Sequence, residues 1–236
     1  MDGRFVTLAV ALLLLGPTAG AATMQQMLEA IRDDTRRTAG YTRVSHINPA
    51  VLEAMATVPR EEFVPDGARA VAYVNRPLPI GYGQTISQPF IVALMTHLLE
   101  PTAASRVLEV GTGSGYQAAV LAKVVDTVHT IEIIPELAED ASARLKRLGY
   151  DNVEVTVGDG WYGWPEAAPF DAIMVTAVGE DVPKKLVQQL RPGGRLVLPI
   201  GNDFDQNLAV VEKAEDGEIT MRHVLPVRFV PLTGDH

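Results

Sequence analysis

The sequence predicts an α/β fold: a mainly parallel sheet with helices on both faces, an antiparallel addition at one edge, and a helical region ahead of it. Three observations predict it. From Arg106 onward, short β-branched runs alternate with helical patterns, which is how a parallel sheet with crossover helices reads. The first of those runs opens into the glycine loop Gly111-Thr112-Gly113-Ser114-Gly115, with a helical pattern behind it. Before Arg106 the chain shows helical patterns and one Pro/Gly-rich connection. With 236 residues, 47% of them hydrophobic, there is material for one large domain or at most two small ones, at roughly 150 residues per domain.

The elements follow in order. Arg4 precedes an apolar run from Phe5 to Leu15, interrupted only by Thr7, then Gly16-Pro17 and the small residues Ala19-Gly20-Ala21. Residues 1–22 are expected to be a secretory signal, since the run is short of the ~20 apolar residues that a membrane span needs. The mature protein is then periplasmic or secreted. The competing reading is a start at Met24 or Met27 and a cytoplasmic protein. Helical spacing covers Met24 to Arg37 and Pro49 to Val58, and Phe63 to Gln84 is expected to be an irregular connection rich in Pro and Gly. A further apolar helix starts at Pro89 and ends before Pro101.

Strands are expected at Arg106 to Val110, Val128 to Ile133, Val153 to Val157, Ala172 to Val175 and Arg195 to Pro199. Helices are expected between them at Tyr116 to Val124, Pro135 to Leu148 and Val182 to Leu190, the last stopped by the turn Arg191-Pro192-Gly193-Gly194. Two more strands, Leu208 to Lys213 and Val224 to Val230, flank the turn Glu215-Asp216-Gly217 and supply the antiparallel edge. Residues 23–236 are expected to form a single domain, with 23–100 as the helical and loop region and 101–236 as the sheet core with its C-terminal strands.

Composition removes several chemistries. The net charge is −9 and the sequence holds no basic run, so nucleic acid is not expected as a partner. There is no cysteine, which excludes disulfides, thiolate nucleophiles and Cys-ligated zinc, and no metal is expected.

The glycine loop at the carboxyl end of the first core strand is expected to present backbone N–H groups to a nucleotide-type ligand. The dinucleotide fingerprint would place its third glycine at position 116, which is Tyr116 here, so a pyrophosphate is disfavoured. Glu109, just before the loop, would repel a diphosphate and attract a sulfonium or an α-amino group. That sign points to S-adenosylmethionine. Glu132, at the end of the second core strand, is placed to accept both ribose hydroxyls, and Asp159-Gly160 follows the third, where a carboxylate can accept the adenine amino group. Taken one at a time, Glu132 could be a solvated strand end and Asp159 a turn residue; the register after successive strands favours the ligand reading.

These residues, with others along the chain, resemble the protein-L-isoaspartate (D-aspartate) O-methyltransferase family of class I methyltransferases. The resemblance runs through Val58-Pro59-Arg60, Phe63-Val64-Pro65, Leu78-Pro79-Ile80-Gly81, Leu108 to Tyr116, Gly158-Asp159-Gly160-Trp161, Pro169 to Ile173, Pro192 to Leu196 and Val227 to Leu232. Its most specific part is Gly83-Gln84-Thr85-Ile86-Ser87-Gln88-Pro89. The resemblance implies a Rossmann-like S-adenosylmethionine-dependent fold. It also implies methyl transfer to the α-carboxylate of isoaspartyl residues in damaged proteins and peptides, the ester then leaving through a succinimide. It implies Ser87 as the catalytic residue and Thr85, Ile86, Ser87 and Val230 as substrate-binding. For the cofactor it implies Glu109, Gly111, Thr112, Gly113, Ser114, Gly115, Glu132, Ile133, Asp159, Gly160 and Thr233. The expected partners are isoaspartyl proteins and peptides, without stable membrane association, and the chain is expected to be a monomer.

The chemistry agrees with the residues. A carboxylate nucleophile is ionised at neutral pH, so it needs no general base; it needs placement and dryness. Ser87 and Thr85 offer neutral donors that hold it without a tight ion pair. Ser87 also stands where it could simply N-cap the helix starting at Pro89. His97, Trp161 and Trp164 read as packing residues. Two other functions remain open at this level: a class I methyltransferase for a small molecule or nucleic acid, and a non-catalytic adenosyl- or NAD-binding module.

Overall fold

In the computed structural model, which describes residues 22–235, the chain enters through helix α1 (Met24–Thr42). Thr23 and Gln26 form a capping box at its start, the Thr23 hydroxyl accepting from Gln26 N–H at 3.2 Å and Gln26 Oε1 accepting from Thr23 N–H at 2.9 Å. The helix runs past Arg37, where the apolar spacing fades. Thr35, Thr38 and Thr42 keep their hydroxyls bonded to carbonyls four residues back, at 2.7, 2.8 and 3.2 Å, so these β-branched polar residues sit in the helix satisfied. The predicted signal segment lies outside the described residues except for Ala22. No helix among the described residues is long and apolar enough to cross a membrane.

Helix α2 (Pro49–Thr57) follows, capped by Asn48. The predicted irregular stretch from Phe63 to Gln84 is partly ordered. After a 3-10 turn it forms β1 (Leu78–Gly81), which pairs antiparallel with β2 (Gln84–Ile86) across Tyr82-Gly83. Both turn residues have positive φ, 52° and 74°, the backbone that a tight two-residue hairpin requires. The strands are too short for the alternation signal to show. Helix α3 (Pro89–Leu98) is buried nearly all round, packed against α1 and α2.

The main sheet contains β3 (Arg106–Val110), β4 (Thr127–Glu132), β5 (Val153–Val157), β6 (Phe170–Val175), β7 (Leu190–Gly201), β8 (Gln206–Lys213) and β9 (Ile219–Pro226), in the order β5-β4-β3-β6-β7-β8-β9. Pairings from β5 through β7 are parallel; β8 and β9 add antiparallel at one edge. Crossovers are α4 (Tyr116–Ala122), α5 (Pro135–Arg147) and α6 (Lys184–Gln189). Strand order reverses between β3 and β6, and a ligand crevice is expected at the carboxyl ends of these two strands.

Two of the boundary shifts fall in β7 and β9. The turn at Arg191 to Gly194 lies inside β7: Phe170 pairs with Leu190 and Ala172 with Arg195, so the intervening residues loop out, held by Arg191 on Asp171 at 2.6 Å. The last strand is displaced towards the N-terminus and ends at Pro226. Beyond it Gln206 captures the chain, its carbonyl accepting from Val227 N–H at 2.9 Å and its Oε1 from Phe229 N–H at 2.6 Å. Residues 227–233 are thereby turned off the sheet and over the crevice.

Candidate active site

The glycine loop does not present the row of free N–H groups that its composition suggests. Gly111 and Thr112 N–H both donate to the Ile131 carbonyl at 2.8 and 3.2 Å, Gly115 donates to Thr112 at 2.8 Å, and Gly113 donates to Glu132 Oε2 at 2.7 Å. These internal bonds leave little of an anion cradle, which counts further against a diphosphate. The glycines are needed for close approach: at Gly111, φ 96°, a Cβ would meet the Thr176 hydroxyl at 2.3 Å, and at Gly160 it would meet Val110 at 2.2 Å.

The three acids take different positions. Glu132 lines the crevice, and each of its carboxylate oxygens already accepts one backbone N–H, from Gly113 and, at 3.0 Å, from Ile134. Since a carboxylate has about four acceptor sites, room remains for two hydroxyl donors such as those of a ribose. Glu109 lies underneath, wholly buried. Its Oε2 accepts from Thr130 at 2.6 Å, whose hydroxyl is 2.7 Å from that of Thr112, while Oε1 has no hydrogen-bond partner among the described residues. Burial, with Glu132 nearby, pushes the Glu109 carboxyl up to about 8. Asp159 caps the turn at Trp161, accepting its N–H at 2.9 Å, and also accepts Asp235 N–H at 3.2 Å. It sits beside the crevice rather than in its wall, where Gly160 lies.

Two cavities meet at the carboxyl ends of β3 and β6. The first, about 570 Å³, is walled by Gly111, Gly113, Glu132, Ile133, Gly160 and Thr233 among others. The second, about 1190 Å³, is walled by Asp34, Ser87, Gln88, Phe90 and residues 225–230. Thr85, Thr176 and Val230 line both and form the boundary between them. Thr112, Ser114, Ile86 and Ser87 line a smaller space of about 340 Å³ behind that boundary, although Ile86 as a whole is buried in the hydrophobic core. Gly115 faces none of these cavities; it packs under Leu145.

Ser87 is not the cap of α3. The N-cap is Gln88, without a side-chain cap bond, and Phe90 N–H is taken instead by Asn75 Oδ1 at 3.0 Å. His97 is structural as predicted, its Nδ1 accepting from Asn48 N–H at 3.2 Å. Thr176, Asn75 and Asp34 were not singled out from sequence. Thr176 follows β6 directly and carries the only available signal, its place at a strand's carboxyl end; its hydroxyl donates to the Gly111 carbonyl at 2.7 Å.

The first cavity contains one carboxylate and no basic side chain among its lining residues. With Glu132 as that carboxylate and the N–H groups of Gly111, Thr112, Gly113 and Gly115 already engaged, it suits an adenosyl sulfonium better than a diphosphate.

Comparison with known proteins agrees. Residues 37–236 match the profile of protein-L-isoaspartate(D-aspartate) O-methyltransferase (PCMT). The chain is 54% identical over 241 residues to protein-L-isoaspartate O-methyltransferase 2 of Syntrophobacter fumaroxidans, covering 99% of this chain and 98% of that one. It is 51% identical over 238 residues to protein-L-isoaspartate O-methyltransferase 1 of Nitrosospira multiformis, covering 100% of both. A solved protein-L-isoaspartate O-methyltransferase superposes with a TM-score of 0.77 at 29% identity, over 90% of this chain and 67% of that one. A Plasmodium falciparum candidate of the same kind, in complex with S-adenosyl-L-homocysteine, superposes at 0.70 with 26% identity, over 87% of this chain and 97% of that one. A profile match across most of the chain, full-length relatives above half identity and a cavity suited to an adenosyl sulfonium lead to one conclusion: the chain belongs to the protein-L-isoaspartate(D-aspartate) O-methyltransferase family.

Proposed function

We infer that this chain is a protein-repair methyltransferase, moving the methyl group of S-adenosylmethionine to the α-carboxylate of L-isoaspartyl residues, and also to the side-chain carboxylate of D-aspartyl residues, in damaged proteins and peptides. The observation that carries the reading is the pair of cavities meeting at Thr85, Thr176 and Val230, with Ser87 on the substrate side. Bound in the first cavity, S-adenosylmethionine supplies an electrophilic methyl group on a positively charged sulfur.

The chain's own residues do the rest. Glu132 has acceptor capacity left for the ribose, and Gly160 lets the backbone come close where a larger residue would strike Val110. The buried Glu109 lies under the loop and offsets a cationic ligand, because a positive charge nearby favours its ionised form. At the boundary, the Thr176 proton is already given to the Gly111 carbonyl, which leaves the neutral hydroxyls of Thr85 and Ser87. They can orient a carboxylate oxygen without the tight ion pair that would lower its nucleophilicity, and no base is required since the carboxylate is already ionised. Gln206 brings the apolar Phe229 and Val230 over the crevice, where both line the second cavity.

The test is methyl transfer to an isoaspartyl peptide beside its aspartyl twin. Ester formation on the isoaspartyl peptide alone is expected. Equal labelling of both, or of neither, overturns the substrate assignment. The apolar run from Phe5 to Leu15 and the small residues at Ala19 to Ala21 also support export to the periplasm or beyond. Sequencing the N-terminus of the native protein tests the export, a start at Met24 or Met27 being the contrary result.

A further inference from the structure

Arg60 is a charged residue in a hydrophobic core. It stands in the 3-10 turn Arg60–Phe63 and exposes no surface, and burial pulls its guanidinium below the usual arginine range. Its partners are two main-chain carbonyls and a ring rather than a carboxylate. Nε donates to Ala72 O and Nη2 to Ser87 O, both at 2.8 Å, the guanidinium carbon lies 4.8 Å from the centroid of the Tyr116 ring, and Nη1 has no hydrogen-bond partner among the described residues. An apolar side chain of similar volume would fill this space without desolvating a charge, so packing alone does not explain the residue.

Its two ends do. Ser87 O belongs to the peptide that joins Ser87 to the N-cap of α3, so holding it orients Ser87. Tyr116 opens α4 immediately after the glycine loop, at the position where the dinucleotide fingerprint has its third glycine. Ser87, Tyr116 and residues Gly111 to Ser114 line the same cavity of about 340 Å³. The guanidinium therefore links the Ser87 main chain to the helix that carries the glycine loop.

We propose that Arg60 is the positioning residue for Ser87: set against the Tyr116 ring, its guanidinium holds the Ser87 carbonyl and thereby places the Ser87 hydroxyl relative to the glycine loop. This rests on the assignment of Ser87 to the substrate made above. Arg60→Met keeps most of the stem and removes the charge, while Arg60→Lys keeps the charge and loses the fork. Both are expected to lower kcat on isoaspartyl peptide by about fivefold or more per folded molecule, with the Kd of S-adenosylhomocysteine changed by less than about twofold. The decisive comparison repeats them in a Ser87→Ala background, where the effect of either Arg60 substitution on kcat should shrink to within about twofold.

An undiminished loss in that background overturns the proposal, because Arg60 then acts on something other than Ser87. Slow Ser87→Ala enzyme beside fully active Arg60 variants overturns the Arg60 role alone. Wild-type turnover by Ser87→Ala removes the Ser87 assignment and this proposal with it. Melting temperatures are measured throughout; failure of both Arg60 variants to fold assigns the residue to the core and also overturns the proposal.

Discussion

The two walls of the reaction centre are built in opposite ways. The cofactor wall comes from consecutive strand ends: β3 delivers the glycine loop, β4 delivers Glu132 and β5 leads to Gly160. Its hydrogen bonds join neighbouring strands, as between Gly113 and Glu132 or Thr112 and Thr130. The substrate wall is a short segment, Gln84 to Gln88, held by residues distant in sequence. Arg60 takes the Ser87 carbonyl, Asn75 takes Phe90 N–H, and Asp34 on α1 accepts from Asn75 at 2.7 Å and from Gln88 at 3.4 Å. The difference teaches that the binding half of such an enzyme follows from sheet topology, whereas the half that selects the substrate is a tertiary assembly.

The largest expected effect lies in the cofactor wall and concerns pH. With its folded carboxyl near 8 against an ordinary value of 4.5, Glu109 binds more protons in the folded protein than in the unfolded chain. Stability therefore falls as pH rises from about 4.5 to about 8, by an amount on the order of a few kcal/mol. Glu109→Gln should flatten that part of the stability curve, read from denaturant unfolding at a series of pH values. A variant curve parallel to the wild type's across this window would show that Glu109 is ionised in the folded state.

Glu132→Ala comes next. It removes hydrogen bonds to a charged acceptor and should weaken S-adenosylmethionine binding by about 1.5 to 3 kcal/mol, with the KM for peptide little changed. Calorimetry checks it, and unchanged affinity would take Glu132 out of the cofactor wall.

On the substrate side the signature should invert. Ser87→Ala is expected to reduce kcat by at least about tenfold, equivalent to 1.4 kcal/mol of transition-state stabilisation, while cofactor affinity holds. Thr85→Ala should be milder. If Ser87→Ala instead weakens the cofactor and spares turnover, the division into two walls is drawn in the wrong place.

The smallest effect should come from Asn75→Ala, which removes a helix cap supplied from outside the helix and costs about 1 kcal/mol of stability. Because the cap holds the segment behind Ser87, a modest fall in kcat should accompany the earlier melting. A stability loss with wild-type kcat would show that Arg60 suffices to fix Ser87.

Much of the first wall was legible in the sequence, because a strand followed by glycines and a helix is a local pattern, and parallel strands must bring their carboxyl ends to one edge. The identity of position 116 and the sign of the nearby charges narrowed the ligand before any coordinates. The orientation of Glu109 was not legible. β3 is buried on both faces, so its hydropathy does not alternate and cannot say whether a residue meets the crevice or the interior. The small hairpin at Leu78 to Ile86 was missed for a related reason, its strands of four and three residues being shorter than any periodic signal.

What the sequence determined by itself was thus the order of elements, the edge of the sheet where the ligand binds and, through Gly83 to Pro89, the family whose substrate is expected there. What the tertiary structure alone decided was which distant groups hold that segment in place. Arg60 lies 27 residues from Ser87 and Asp34 lies 54 from Gln88. No local propensity encodes contacts at such separations; they form only when the helices pack and bury the polar groups that must then find partners.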